Sequence, residues 1–513
     1  MKVLGDIPRL NARRHPDKKA LIMDDFHLTF KQLNEKANRL AYGLMSLGVA
    51  PGDRVALLAE NCLEFAVVNY AVAKCGAVLV PINFRYKKGE LVYAVNDSEP
   101  RILFYGPEFP ALLEEAKREF ETPVKLVSIS GEIHEEGLSL DGLMDGRSNS
   151  DPTLRVDPFS AAVIMYTSGT TGLAKGVIFS HNSYFNLYAG LVIEGDMNSN
   201  EMALVGMPLF HNGGLNGQLQ PTLMMGNTAV IVGRGFDPDR TLDTVARYRI
   251  SMTLWVPTQL AMLVNHPQKN KHDVSSLQKL WYGSSPISPN VLDASKEFFD
   301  CRFYQWFGQT ETGMLSVLKP EDHSDRSHFT GREMFNAEMR IVDSDGCDVR
   351  DGEVGEIISA QKPLGMIGYH KKPEATRRTI CEGWIHTGDL ARVEKDGYFS
   401  IVGRSKDMII SGAENIYPKE IEDVISGHAD VDEVAVIGIP DEIWGESVCA
   451  VVVGRGNSQF SEAGIIEYCA GRLSGYKKPK KLVFVDQLPK NAAGKVMKHV
   501  LREPFWKEHK RRI

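Results

Sequence analysis

The pattern that most narrows the fold is a repeated switch between helical and strand periodicity along the first third of the chain. Thr29 and Gln32 have capping-box spacing ahead of Leu33, Ala37, Leu40, Ala41 and Leu44, an apolar stripe at helical spacing that stops at Gly48. Pro51-Gly52-Asp53 then turns the chain into Val55-Ala56-Leu57-Leu58, an apolar run of strand length. A second apolar helix, about 64–74, ends at Gly76 and leads into Ala77-Val78-Leu79-Val80, with further strands predicted near 102–105 and 124–129. Alternation of this kind predicts a largely parallel sheet covered by helices. Residues 130–158 lose periodicity and gain Gly, Ser and Asp, as a surface connection does. The alternation then resumes, with strands predicted at 203–207, 228–232, 252–256, 279–282 and 302–307.

Two later changes of pattern divide the chain. Between 338 and 400 short strands are punctuated by Asp345-Gly346, Asp351-Gly352 and Asp396-Gly397, which predicts a β-rich subdomain. Beyond Arg404 a compact unit of its own follows: helix 418–425, strands 433–439 and 448–453, helix 462–473 and strand 481–485. At 513 residues the chain exceeds what one core normally serves. The expected fold class is α/β. A large N-terminal domain, residues 1–403, would carry helix-covered sheets and the β-rich subdomain; a small C-terminal α/β domain would span residues 404–513.

Composition removes several classes of function. A net charge of −7 argues against nucleic acid as a partner. Seven scattered cysteines, with no Cys-x-x-Cys, suit reduced thiols better than a disulfide framework or a zinc site. There is no signal-peptide profile and no apolar run long enough to span a bilayer, so the cytoplasm is the expected location. One basic stretch, Lys477, Lys478, Lys480 and Lys481, reads either as a solvated face or as an anion dock.

The chemistry concentrates in Tyr166-Thr167-Ser168-Gly169-Thr170-Thr171-Gly172-Leu173-Ala174-Lys175-Gly176, which follows the apolar run 161–165. Glycines that permit tight turns, four hydroxyls and a lysine are the parts of a phosphate cradle. The same composition also suits an ordinary surface loop. A Walker A loop is excluded, because Ala174 precedes Lys175 and Gly176 follows it. Other polar clusters fall near predicted strand ends, where α/β sheets place ligand groups. In Phe307-Gly308-Gln309-Thr310-Glu311 an aromatic could stack on a purine and a carboxylate could hold Mg²⁺. In Thr387-Gly388-Asp389 a carboxylate after a tight turn suits ribose hydroxyls, though an aspartate there also suits a cap. Gly403-Arg404-Ser405-Lys406 leads into the second domain, and Gly494-Lys495 lies on a late loop.

Together, in order and spacing along nearly the whole chain, these motifs resemble the adenylate-forming superfamily of acyl- and aryl-CoA synthetases, firefly-type luciferases and peptide-synthetase adenylation domains. The resemblance implies two steps. A carboxylic acid and ATP·Mg²⁺ give an acyl-adenylate and pyrophosphate, and a thiol then displaces AMP. Thr167, Ser168, Gly169, Thr170, Thr171, Gly172 and Lys175 would hold the β- and γ-phosphates, and Glu311 would ligate Mg²⁺. Phe307 and Gly308 would lie near adenine beside Gly283, Ser284 and Ser285, with Gln309 and Thr310 in the same site. Asp389 and Arg404 would fix the ribose. Lys495 would bridge the carboxylate and α-phosphate as charge builds there. The small domain would be mobile, swinging about Lys406 so that Lys495 leaves the site and the face of Ser411, Gly412, Ala413 and Glu414 enters it. The implied catalytic set is Lys495, Glu311, His211 and Thr171.

Within the superfamily the features resemble the CoA-ligase branch, with coenzyme A as co-substrate. His211 matches the gating position beside the acyl pocket, Trp444 the tryptophan of the pantetheine tunnel, and Tyr476-Lys477-Lys478 the region that meets the CoA nucleotide. The C-terminus soon after Lys495 argues against a peptide-synthetase module. Ala413 departs from a glycine common in relatives and leaves the tunnel fit open. The acyl pocket is expected to be lined by His211, Asn212, Gly213, Gly214, Asn216, Trp281, Gly313 and Met314, with Gly213 and Gly214 leaving room for a chain or ring. The expected substrate is a medium- or long-chain fatty acid, with an aryl acid of the benzoate or cinnamate type as the alternative. A luciferase-like oxygenase is disfavoured by Trp444 and Lys477. A serine hydrolase at Ser168 or Ser285 lacks the Gly-x-Ser-x-Gly elbow. The retained Glu311, Asp389, Arg404 and Lys495 argue against a silent scaffold. The resemblance also allows a homodimer.

Overall fold

A computed structural model describes residues 2–129, 137–167, 174–233, 235–411, 414–455, 462–490 and 496–507. The capping box forms in full: Gln32 N–H donates to Thr29 Oγ1 at 3.2 Å and Thr29 N–H to Gln32 Oε1 at 2.9 Å. Helix Phe30–Ser46 buries the predicted stripe, and Gly48 at φ +84° takes the chain out of it. Strands Arg54–Leu58, Val78–Ile82, Ile102–Tyr105 and Lys125–Ser128 pair in parallel. Between the first two runs helix Leu63–Lys74, buried over almost its whole circumference. A helix without a polar face must lie inside the protein.

The strands distribute into two large sheets. Eight strands run in the order 368–369, 175–180, 161–167, 78–82, 54–58, 102–105, 125–128 and 138–139. Nine run in the order 332–333, 313–318, 302–309, 279–283, 252–255, 202–205, 228–231, 19–23 and 26–29. Most neighbours are parallel, as the alternation predicts, and one apolar cluster draws on both sheets and on the helices between them. Strand Lys19–Met23 had no sequence signal of its place: it pairs in parallel with Thr228–Ile231, about two hundred residues away. The predicted 130–158 connection contains a short strand, Leu138–Ser139, and a helical turn, Leu140–Met144.

The β-rich subdomain is a five-stranded sheet whose Gly346, Gly352 and Gly397 all have positive φ, as Asp-Gly turns require. The small C-terminal domain pairs Val431–Asp441 with Gly445–Gly454 and packs helices Pro418–Ser426 and Glu462–Ala470 over a core of its own. No helix among the described residues is long and apolar enough to cross a membrane. All seven cysteines are free, and burial pushes Cys75 and Cys301 up to about 12, which keeps them as inert thiols.

A buried histidine ties the N-terminal segment to this frame. His181 Nδ1 accepts the Leu4 N–H at 3.3 Å, and burial holds its pKa down at about 4. On acidification the unfolded chain therefore takes up a proton before the folded protein does. Stability contributed by neutral His181 is complete above about pH 6.5 and is lost as pH falls towards about 4, at up to about 1.4 kcal/mol per pH unit. Urea midpoints measured between about pH 7 and pH 5 should fall in the native chain and fall less in His181→Asn.

Candidate active site

The phosphate-like loop joins two strands of one sheet. Ala161–Thr167 pairs antiparallel with Lys175–Ser180, Thr167 opposite Lys175, so the motif lies between two strands of a hairpin. Its feet are pinned: Tyr166 OH donates to Asp97 Oδ2 at 2.6 Å and Tyr93 OH to Ala174 O at 2.8 Å. Ser168, Gly169, Thr170, Thr171 and Gly172 lie outside the described residues. Lys175 Nζ stands 4.7 Å from the centroid of the Tyr369 ring, and Tyr369 OH donates to Glu311 Oε1 at 2.9 Å. The expected phosphate lysine and metal carboxylate are thus joined through a residue that sequence reasoning missed. The available signal was Gly368-Tyr369 shortly before Pro373, at the start of helix Pro373–Thr379. Burial, then the Glu311 carboxylate, push the Tyr369 phenol well up, so it remains a donor. Glu311 Oε2 has no partner among the described residues, and no cluster of three His, Cys, Asp or Glu is found there. One hard oxygen donor beside a phosphate loop fits Mg²⁺, which keeps waters and substrate oxygens as its other ligands.

The ribose-side residues also converge, with one correction. Thr387-Gly388-Asp389 is not a turn; it lies within strand Trp384–Val393, where Gly388 takes φ +68° at a register shift. Such a bulge re-aims side chains without ending the strand. Asp389, only 5 % exposed, accepts Arg404 Nε on Oδ1 at 2.8 Å and Gln309 Nε2 on Oδ2 at 2.5 Å. Gln309 Nε2 also reaches Thr387 O at 3.0 Å. Gly283 ends its strand, and a Cβ there would overlap Trp306 O; Ser284 follows at φ +70° beside Ser285. Phe307 meets Phe399 edge to face at 6.0 Å, so one side of its ring serves a small core. Gly308 allows the close return of Gly313 and Met314, and Thr310 lies in that hairpin turn.

At the expected acyl pocket two glycines differ. A Cβ on Gly213 would sit 3.5 Å from His211 Nδ1, an ordinary contact. A Cβ on Gly214 would lie 2.6 Å from Met207 O and overlap Pro208 O, so Gly214 admits backbone and adds no pocket space. His211 Nδ1 accepts the Gly213 N–H at 3.2 Å, and burial lowers its pKa, keeping it neutral. Asn216 Nδ2 donates to Asn212 Oδ1 at 2.8 Å, while Tyr188 and Tyr184 donate to Asn216 Oδ1 and Asn212 Oδ1 at 2.5 and 3.3 Å. Trp281 is fully buried against Trp306; Gly313 takes φ +73° and Met314 is half-buried beside the main core.

In the small domain Trp444 is 50 % exposed, with Lys480 Nζ 5.4 Å from its ring centroid; Tyr476 is exposed as well. Lys477 bonds both oxygens of Glu420 at 2.7 and 2.8 Å, so it is already neutralised, whereas Lys478 has no ion-pair partner among the described residues. Ser411 and Glu414 face each other across a hairpin; Gly412, Ala413 and Lys495 lie outside the described residues. Lys406 sits in a 3₁₀ turn, exposed over much of its side chain, its pKa lowered by partial desolvation and then by Arg404. Arg502, from helix Lys498–Trp506, clasps that turn by Lys406 O at 3.4 Å, Asp407 O at 3.3 Å and the Asp407 carboxylate at 3.1 Å.

Residues 9–370 match the AMP-binding enzyme family and residues 420–495 match the AMP-binding enzyme C-terminal domain. The chain belongs to the AMP-binding enzyme family. It is an enzyme, an acid–thiol ligase, as the family together with the ligases it is similar to shows. It is 34% identical to the fatty acid–[acyl-carrier-protein] ligase ScoC of Streptomyces coeruleorubidus, over 100% of this chain and 98% of that protein. It is 36% identical to a feruloyl-CoA synthase of Amycolatopsis sp, over 98% and 99%. The crystal structure of the anthranilate CoA ligase AuaEII with anthranoyl-AMP superposes with a TM-score of 0.91 at 27% identity, covering 98% of this chain and 97% of that one.

Gly214, set against Gly217 in the same helical segment, gives a direct test. Gly214→Ala should cost about 1–3 kcal/mol of stability, read as a lower thermal midpoint without any substrate. Gly217→Ala, whose new methyl would find its nearest atoms at 3.8 and 4.0 Å, should leave that midpoint unchanged.

Proposed function

We propose that this enzyme activates a medium- or long-chain fatty acid with ATP and passes the acyl group to coenzyme A. The observation that carries the nucleotide half is the contact chain from Lys175 through Tyr369 to Glu311, beside the Asp389, Arg404 and Gln309 cluster. In the first step a carboxylate oxygen attacks the α-phosphorus and pyrophosphate leaves. Lys175 and its loop hold the departing phosphates, and Lys495 stabilises charge at the α-phosphate. Glu311 would hold Mg²⁺, which when bound neutralises phosphate charge. Asp389, fixed by Arg404 and Gln309, offers a rigid edge for the ribose. In the second step the thiol attacks the acyl carbonyl, loses its proton and expels AMP. Neutral His211, by its position, gates the acyl site.

The fatty-acid assignment draws on the likeness to ScoC and on the neutral lining from His211 to Asn216, which offers no cation to a second carboxylate. The aryl alternative draws on the feruloyl and anthranilate relatives and on the Tyr184–Asn212 pair, a polar spot that a ring substituent could meet. Coenzyme A as the thiol fits exposed Trp444 and Tyr476 with Lys478 nearby. The free thiols suit the cytoplasm. A homodimer is compatible with these roles. The domain boundary lies at Arg404, and the small domain turns about Lys406, with the 406–407 peptide fixed to it by Arg502.

ATP-to-AMP turnover across fatty, aryl and hydroxy acids, with and without CoA or a carrier protein, separates these substrates. Turnover only with ring acids would overturn the fatty-acid assignment. Lys495→Ala should abolish acid-dependent pyrophosphate release yet spare thioester formation from supplied acyl-adenylate; equal loss of both would remove its role. Lys406→Pro and Arg502→Ala should slow the thiol step more than adenylation, and a uniform loss would mark plain misfolding instead.

A further inference from the structure

Lys175 and Glu311 carry opposite charges on different sheets, and the Tyr369 side chain stands between them. Its hydroxyl bonds the carboxylate at 2.9 Å and its ring underlies the ammonium at 4.7 Å. We propose that Tyr369 is a positioning residue for the metal–triphosphate site, a spacer that aims Glu311 and stops it from collapsing onto Lys175. This role rests on Glu311 being the Mg²⁺ ligand and Lys175 a phosphate ligand.

The backbone around Tyr369 is built for that task. Strand Gly368–Tyr369 pairs antiparallel with Val177 and Ile178, continuing the sheet that carries Lys175. Ile367 N–H donates to Ile178 O and His370 N–H to Gly176 O, both at 2.7 Å. Three residues before Tyr369, Met366 N–H donates to Glu311 O at 2.9 Å. One extended segment therefore stitches the sheet of the phosphate loop to the hairpin of the metal carboxylate. Tyr369 N–H in turn donates to Thr376 Oγ1 at 2.9 Å, and a Cβ on Gly368 would lie 2.8 Å from Thr376 Cγ2. The segment is thus close-packed on helix Pro373–Thr379.

Glu311, by contrast, sits in the short connection between strands Arg302–Gln309 and Gly313–Leu318, and its carboxylate has no other partner among the described residues. Two flexible, oppositely charged side chains at the mouth of a site would form a direct ion pair in the absence of ATP. Such a pair would have to break before phosphate and metal could bind. The phenol satisfies one carboxylate oxygen and leaves the other for the cation. The aromatic face meanwhile holds the ammonium by a cation–π contact that a phosphate can outcompete.

Calorimetric binding of ATP without acid, with and without Mg²⁺, tests this, with AMP as the comparator. In the native enzyme Mg²⁺ should strengthen ATP binding. Tyr369→Phe, which keeps the ring and loses the hydroxyl, should reduce that Mg²⁺ increment roughly ten-fold while AMP binding stays unchanged. Tyr369→Leu should also weaken ATP binding without Mg²⁺, because the freed lysine pairs with Glu311. A native increment in Tyr369→Phe, or an equal loss of AMP binding, would overturn the spacer role. Glu311→Gln is the control. If it too keeps the native increment, the Mg²⁺ role of Glu311 fails; if it alone loses the increment, only the role of Tyr369 fails.

Discussion

Helix Leu63–Lys74 has no polar face, and its burial between two large sheets is the constraint on which the rest of the N-terminal domain depends. An apolar cylinder of this kind is stable only if both flanking sheets cover it, which couples their positions to a single core. The hairpin with Thr167 and Lys175 belongs to one sheet, and the hairpin with Gln309 and Glu311 to the other. Neither half holds both groups. The site exists because hydrophobic burial brings two independently built sheet edges together.

Polar contacts then convert that coarse placement into a defined geometry. Segment 366–370 bonds backbone of both sheets, and Tyr369 spans the Lys175–Glu311 gap. On the other side Asp389 is fixed on both oxygens by Arg404 and Gln309, residues from the β-rich subdomain and the nine-stranded sheet. Buried carboxylates demand such partners, since an unpaired one would be costly to desolvate. The partners also bind the β-rich subdomain to the nine-stranded sheet. Arg404 is the last residue of its strand, so the same ion pair stands immediately before the turn that Arg502 clasps. The Asp389 cluster and the 3₁₀ turn Ser405–Asp407 are thus mechanically adjacent.

Much of this is legible in the sequence. The capping box at Thr29 and Gln32, the strands near 55, 102 and 279, and the positive-φ glycines of the Asp-Gly turns follow from local periodicity and turn chemistry. Local signals could not say that Lys19–Met23 crosses to Thr228–Ile231, because parallel pairing over such a span leaves no trace in either segment. They also misread Thr387-Gly388-Asp389 as a turn, since Gly at a bulge and Gly at a turn share the same positive φ. Local sequence offers Gly214 as pocket space, though the place of the absent methyl is filled by carbonyls of Met207 and Pro208 that only the folded backbone brings there.

By itself the sequence determined the α/β class, the order of the elements, the small C-terminal unit and the residue types that make a nucleotide-activating site. These depend on periodicity and on which side chains bear hydroxyl, ammonium and carboxylate groups. Only the tertiary structure decided that Lys175 and Glu311 meet across Tyr369, that Asp389 is shared by Arg404 and Gln309, and that Lys477 is spent on Glu420. Those are distances between groups far apart in the chain, and distance across a fold is set by packing, which no single stretch of residues encodes.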